Sequence, residues 1–303
     1  MRPRIVVIGL SGYSIFMKVG HFHQSGETIS ARDVFFEPGG KGYNQAVAVQ
    51  RLGGEAYFIS AISNDEYGRL CEARLHEEGV HPLLVRKDGI GTPLGVILTD
   101  ESGENRVTVY HGASQCLTAS DIEKHEDIIK SADVLLLQME VPSEANKKAL
   151  EIARRYGVMT VFNPAPPGEF SFNIVDENTV LTPNEFEART IFGLGPEDDM
   201  NKIDELYCKH VKRMVITLGD RGCAIYDGEV KSIIPALKVE ARDTTGAGDV
   251  FNAALAVGLG SGETLHKASK FAACASGLSV TKEHVLDSIP DRDTVLKTMW
   301  NHF

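Results

Sequence analysis

Short apolar runs alternate with longer stretches of mixed polarity along most of this chain, and each run closes on a polar or glycine-bearing string. Arg4–Ile8 is almost unbroken apolar sequence, the pattern of a strand buried on both faces. Gly42–Leu52 then reads as a helix with Ala46, Val47 and Val49 on one side, Tyr57–Ile62 as a strand, and Glu66–Glu78 as a helix stopped by Gly79. Val134–Gln138 predicts a strand and Ser143–Tyr156 a helix ended by Gly157. Val158–Asn163, Thr179–Thr182 and Met214–Leu218 predict three more strands. The stretch from Pro196 to His210 predicts an amphipathic surface helix with an acidic start. Such β-α repetition implies an α/β fold, a mostly parallel sheet with helices on both faces. Ligands in these sheets bind beyond the carboxyl ends of the strands.

Two regions depart from the alternation. Residues 13–36 predict two extended segments around Ser25-Gly26-Glu27, and residues 94–110 a hairpin around Glu101-Ser102-Gly103. Together they predict a small β-sheet lid projecting from a single domain that spans 1–303. The far face of such a sheet needs cover, which a second copy of the chain would supply.

The chemistry concentrates in Asp243-Thr244-Thr245-Gly246-Ala247-Gly248-Asp249, which runs into the apolar helix start Val250-Phe251. Glycine brings backbone N–H groups close to a ligand, and the first N–H groups of a helix lack internal partners, so this junction suits an anion. A carboxylate repels a phosphate, so Asp249 beside that site suggests a proton acceptor next to the group being transferred. The plainer alternative is an N-cap aspartate after a glycine turn. A second string, Gly39-Gly40-Lys41-Gly42-Tyr43-Asn44-Gln45, is not a Walker loop, because Lys41 is followed by Gly42. It reads either as backbone brought close to a polyol, with Lys41 and Asn44 as donors, or as a plain strand-to-helix turn.

Composition narrows the class. The 303 residues carry a net charge of −11 and no basic block, which argues against nucleic acid. The N-terminal apolar run is too short for a signal peptide or a membrane span, so a cytoplasmic protein with no membrane partner is expected. Cys71, Cys116, Cys208, Cys223 and Cys274 show no metal-ligand spacing and read as small buried hydrophobes. His21 and His23, at i and i+2 in an extended segment, would share a strand face, but the pair reads as surface or substrate-adjacent histidines rather than a completed metal set.

Gly39–Ala46 and Asp243–Asp249 together resemble the two signatures of the ribokinase-like (PfkB) carbohydrate kinase family. Leu137-Gln138-Met139-Glu140, Asn163-Pro164-Ala165-Pro166, Thr182-Pro183-Asn184-x-x-Glu187 and Thr217-Leu218-Gly219-x-x-Gly222 fall in the family's order and spacing, so the resemblance covers nearly the whole chain. It implies a three-layer α/β/α fold with a β-sheet lid, and ATP-dependent phosphorylation of a sugar hydroxyl. Asp249 would be the general base, and the backbone of Gly246, Ala247 and Gly248 the anion hole. Gly12, Ser14, Gly40, Lys41, Asn44 and Glu140 match the sugar-holding positions. Thr217, Gly219 and Gly222 would contact the nucleotide, and Asn184 and Glu187 would organise Mg²⁺ or, on the plainer reading, cap a helix. A K⁺ site is implied at Asp243, Thr245, Ser279, Lys282, His284 and Ser288, bound mostly by backbone carbonyls. A homodimer through the lid is implied as well.

The chain departs from the family's pattern in two places. His284 stands where the family has glycine. Gly12 and Ser14 replace an Asn and an Asp, and the lost carboxylate removes a bidentate acceptor for sugar hydroxyls. Space at Gly12 would suit a bulkier acceptor such as a nucleoside base. A nucleoside kinase of the same fold and a non-catalytic sugar sensor therefore stand beside the sugar kinase, which the intact Asp249 string favours.

Overall fold

The fold is described by a computed structural model covering residues 2–195 and 197–302, without the side chain of Cys208. Thirteen strands among these residues fall into two sheets. The larger contains β1 (Arg4–Ile8), β4 (Glu55–Ile62), β5 (His81–Arg86), β8 (Val134–Leu137), β9 (Met159–Phe162), β10 (Thr179–Leu181), β11 (Arg213–Thr217), β12 (Cys223–Asp227) and β13 (Val230–Ile234). Its order is β13-β12-β11-β10-β9-β8-β1-β4-β5. Neighbours from β11 to β5 are parallel, and β12 and β13 close one edge antiparallel. The smaller sheet has the order β3-β2-β6-β7, built from β2 (Gly12–Val19), β3 (Ala31–Gly39), β6 (Leu94–Thr99) and β7 (Asn105–Tyr110).

Period-two alternation sends the side chains of one strand into two separate cores. Ile5 and Val7 of β1 pack with helices α1 (Lys41–Arg51), α2 (Glu66–Glu77), α8 (Ala247–Gly260), α9 (Leu265–Ser279), α10 (Val285–Ser288) and α11 (Arg292–His302). Val6 and Ile8 pack with α3 (Ala119–Glu123), α4 (Glu126–Lys130), α5 (Ser143–Tyr156), α6 (Glu185–Ile191) and α7 (Lys202–His210). Cover on both faces is why β1 reads as a continuous apolar run. The helix expected over 196–210 is shorter: α7 starts at Lys202, and Pro196 lies outside the described residues. Helix α8 is buried from Asp249 to Leu259, so it lacks an amphipathic face and runs through the interior between α1 and α9. No helix among the described residues is long and apolar enough to cross a membrane.

The carboxyl ends of β1, β8, β9, β10 and β11 share one edge of the parallel sheet. Gln138, Asn163, Thr182 and Asn184 all lie just past those ends. Helices α1 and α8 bring their N-termini toward that edge, and the smaller sheet joins it through β3, which leads into Gly40 and Lys41.

Candidate active site

Helix α8 is capped by Gly246, held at φ 76°. A Cβ there would lie 2.5 Å from Val285 Cγ1, so both the left-handed conformation and the close approach require glycine. No neighbour lies within 4 Å of a Cβ built on Gly248, so that position opens into free space. Ala247 N–H makes one long bond, 3.3 Å, to Thr244 O. Asp249 follows in the first helical turn, buried, and amides hold both its oxygens: Asn44 Nδ2 donates to Oδ2 at 2.9 Å and Gln45 Nε2 to Oδ1 at 3.0 Å. Asp249 is therefore not the N-cap; Gly246 is, and the carboxylate faces α1 instead.

Sequence reasoning gave no role to Gln45 or Gln138. Gln138 Nε2 donates to Gln45 Oε1, which fixes the Gln45 amide with its NH₂ toward Asp249. The available signal was an amide where an apolar residue is expected: Gln45 follows Asn44 in a helix that is otherwise apolar there, and Gln138 ends an apolar strand; both are wholly buried. Asn44 Oδ1 and Gln138 Oε1 are buried and make no hydrogen bond. Asn44 can therefore still accept from a hydroxyl while it donates to Asp249.

On the sugar side, Gly40 caps α1 at φ 102°, and a Cβ there would lie 2.8 Å from Leu10 O. Glu140 is partly buried rather than an exposed strand-end acid. Its Oε2 accepts from Lys41 N at 2.7 Å, one of the N–H groups that a helix start leaves without a partner. Burial pushes the Glu140 carboxyl up to about 7, with Lys41 opposing and Asp249 adding. Asp249, and less strongly Glu140 and Glu187, hold the Lys41 pKa above its ordinary value. Ser14 Oγ sits over Gly39, 3.1 Å from where its Cβ would be, beside the Gly40-Lys41 turn. The space expected at Gly12 is absent. A Cβ there would meet Pro93 O at 2.8 Å, and Gly12 O accepts from Cys71 Sγ at 3.1 Å. Gly12 is a close-packed glycine that opens no room for a base.

Against the Ala247-Gly248 backbone that precedes Asp249 lies a cavity of about 720 Å³. Asn184, Thr217, Gly219, Gly222, Thr244, Ala247 and Gly248 line it, together with apolar Leu237, Val239, Phe251 and Val280. An apolar pocket with polar groups at one end is the usual form of a small-molecule site. Asn184 and Glu187 do form a capping box at α6, with both reciprocal bonds 2.8 Å long. Burial raises the Glu187 carboxyl. Carboxylate and amide oxygens are donor types that suit Mg²⁺, so the pair fits such a metal.

The residues expected around K⁺ come from two segments that the structure brings together. Arg242 N and Asp243 N both donate to Val280 O, at 2.7 and 3.3 Å. Asp243 Oδ1 accepts from Thr245 N, while Ser279 Oγ and Ser288 Oγ donate to backbone carbonyls of their own turns. His284 has φ 68°, the one non-glycine residue with positive φ among the described residues. Its backbone thus takes a conformation that glycine adopts easily. No group of three or more His, Cys, Asp or Glu side chains among the described residues is placed to hold a metal.

A family model described as pfkB family carbohydrate kinase matches residues 2–292. The chain belongs to the pfkB family. It is 32% identical to a ribokinase of Haemophilus influenzae over 303 residues, covering 98% of each chain. It is 30% identical to a bifunctional ribokinase/ribose-5-phosphate isomerase A of Fructilactobacillus sanfranciscensis, and spans 56% of that longer protein. The structure of Arabidopsis thaliana ribokinase complexed with ribose and ATP matches with a TM-score of 0.89 at 29% identity, over 99% of each chain. This pfkB kinase is an ATP-dependent enzyme that phosphorylates a sugar, and its fold is ribokinase-like.

Proposed function

We propose that the acceptor is a pentose of the ribose type, bound at the Gly40-Lys41 turn, with ATP in the adjoining cavity and Asp249 between them. The observation that carries this is the placement of Asp249. Amides hold both its oxygens, with Asn44, Lys41 and Glu140 on one side and the open Gly248 backbone on the other. Asp249 takes the proton from a sugar hydroxyl as its oxygen attacks the γ-phosphorus. The new P–O bond forms as the bond to the ADP oxygen breaks, and ADP leaves. Backbone N–H groups of Gly246, Ala247 and Gly248 carry the charge that develops on the transferred group, the term that dominates phosphoryl transfer.

Glu140 Oε1 and Asn44 Oδ1 are acceptors for sugar hydroxyls, with Lys41 as the cationic donor. Ser14 supplies a neutral hydroxyl in place of the family's carboxylate, which weakens the grip on ribose. Asn184 and Glu187 would hold Mg²⁺, which would supply positive charge against the ATP phosphates. The 243–245 and 279–288 segments would hold K⁺, mostly through backbone carbonyls. Thr217, Gly219 and Gly222 shape the nucleotide cavity. The protein works in the cytoplasm as one kinase domain and pairs with a second copy through its lid, without nucleic-acid or membrane partners.

The test is a panel of pentoses, hexoses, keto-deoxy acids and nucleosides, with Mg·ATP and K⁺, reading ADP release and product by phosphorus NMR. Fastest turnover on ribose or another pentose supports the reading. A nucleoside turned over in preference to every sugar contradicts it.

A further inference from the structure

Helix α10 is a single turn wedged between the two halves of the site, and unrelated parts of the chain clamp it at both ends. The buried Glu37 of β3 receives its leading N–H groups: Val285 N donates to Oε1 at 3.0 Å and Leu286 N to Oε2 at 3.1 Å. At the other end, Arg51 of α1 donates through Nη1 to Leu286 O and Ile289 O. A two-bond pair with Glu78, at 2.8 and 2.6 Å, keeps Arg51 in place. The His284 ring stacks on Phe35, also of β3, with centroids 3.7 Å apart and planes at 20°. Between these clamps, Val285 Cγ1 lies against Gly246, where a Cβ would come within 2.5 Å.

From these contacts we infer that Glu37 is a positioning residue that ties the sugar-side strand to the anion hole through Val285. This rests on the reading of Gly246–Gly248 as the phosphoryl site. Strand β3 carries Glu37 and then turns through Gly39 and Gly40 into Lys41. Movement of that strand is transmitted by two charge-assisted bonds to the Val285 and Leu286 backbone, and by Val285 to the turn that starts α8. Phe35 and His284 form a second contact along the same route. Neither Glu37 nor Phe35 enters the nucleotide cavity, so ATP binding does not depend on them. Loss of the carboxylate leaves a buried N–H without a full acceptor and frees α10 to shift. Small displacements at an oxyanion site are felt in the transition state more than in the ground state.

The experiment reads the anion hole without any sugar. Binding of Mg·ADP is measured by titration calorimetry with and without aluminium fluoride, which stands in for the transferred phosphoryl. The account predicts that Glu37→Gln keeps Mg·ADP affinity within about twofold and loses about tenfold of the gain that fluoride gives. Phe35→Leu loses about threefold of that gain by the same route. Full gain in folded Glu37→Gln, or an equal loss of Mg·ADP affinity with and without fluoride, overturns the inference. If Glu37→Gln fails to fold, Phe35→Leu decides, and an unchanged gain in it overturns the inference. A wild type that gains nothing from fluoride overturns the anion-hole reading itself, and the inference with it.

Discussion

Asp249 owes its position to three amides that no charge pattern announces. Asn44 and Gln45 hold its two oxygens, and Gln138 orients Gln45. Gln45→Met removes a hydrogen bond to a charged group, worth about 1.5–3 kcal/mol. It is expected to lower kcat roughly tenfold or more with KM for ATP unchanged, as steady-state kinetics will show. Glu140 gives a pH signature. Its carboxyl titrates at about 7 because burial disfavours the charged form. As pH falls through that value the group becomes neutral and accepts hydroxyls less well. KM for the sugar is therefore expected to rise several-fold between about pH 8 and pH 6 while KM for ATP holds steady, and Glu140→Gln should flatten the profile. In stability the sign is opposite, since a raised carboxylate pKa makes the ionised group a cost to the fold that lessens toward low pH. The Asp249 string and the Lys41 motif were legible because they pack several unusual residues into one turn. The tight fit at Gly12 was not, because Pro93 is far from it in sequence.

Elements that pack on two sides were easy to read, and those at an edge were not. The buried strands β1, β8 and β9 showed as apolar runs. Strand β5 did not, because it lies at the sheet edge with its residues only partly covered. The β12-β13 hairpin turns through the two-residue loop Gly228-Glu229, with Gly228 at φ 60°, a glycine-first hairpin signal present in the sequence. Helix α8 was expected from the glycine turn alone, since a helix buried all round has no periodicity to find. Its start gives a prediction at this scale. Gly246→Ala forces a Cβ against Val285 at positive φ, which costs about 1–3 kcal/mol for the backbone alone. The thermal midpoint should fall by several degrees and kcat by more than tenfold, whereas a change at an ordinary turn glycine would touch only the midpoint.

Across the whole molecule, the alternation of runs and helices was enough to place the sheet, its two covered faces and the edge where the candidate site residues gather. The two regions that break the alternation carry the expectation that a second copy covers the smaller sheet. That sheet exposes Val34, Phe36, Val107, Val109 and Tyr110. Strand pairing puts Val34, Phe36 and Tyr110 on one face, and Val107 and Val109 on the other. A sheet left so apolar on both faces favours association. Light scattering at micromolar concentration is expected to give twice the 33.0 kDa chain mass, and Phe36→Asp to lower it. The central claim is that Asp249 draws the proton during transfer to a sugar. Its most direct test compares wild type with Asp249→Asn for ADP release from Mg·ATP in the presence of ribose, with nucleotide affinity and folding measured alongside. A fall of about 10²–10⁴-fold in kcat, with ATP binding and thermal midpoint kept, is the predicted result. Turnover within a few-fold of wild type in folded Asp249→Asn would contradict the account.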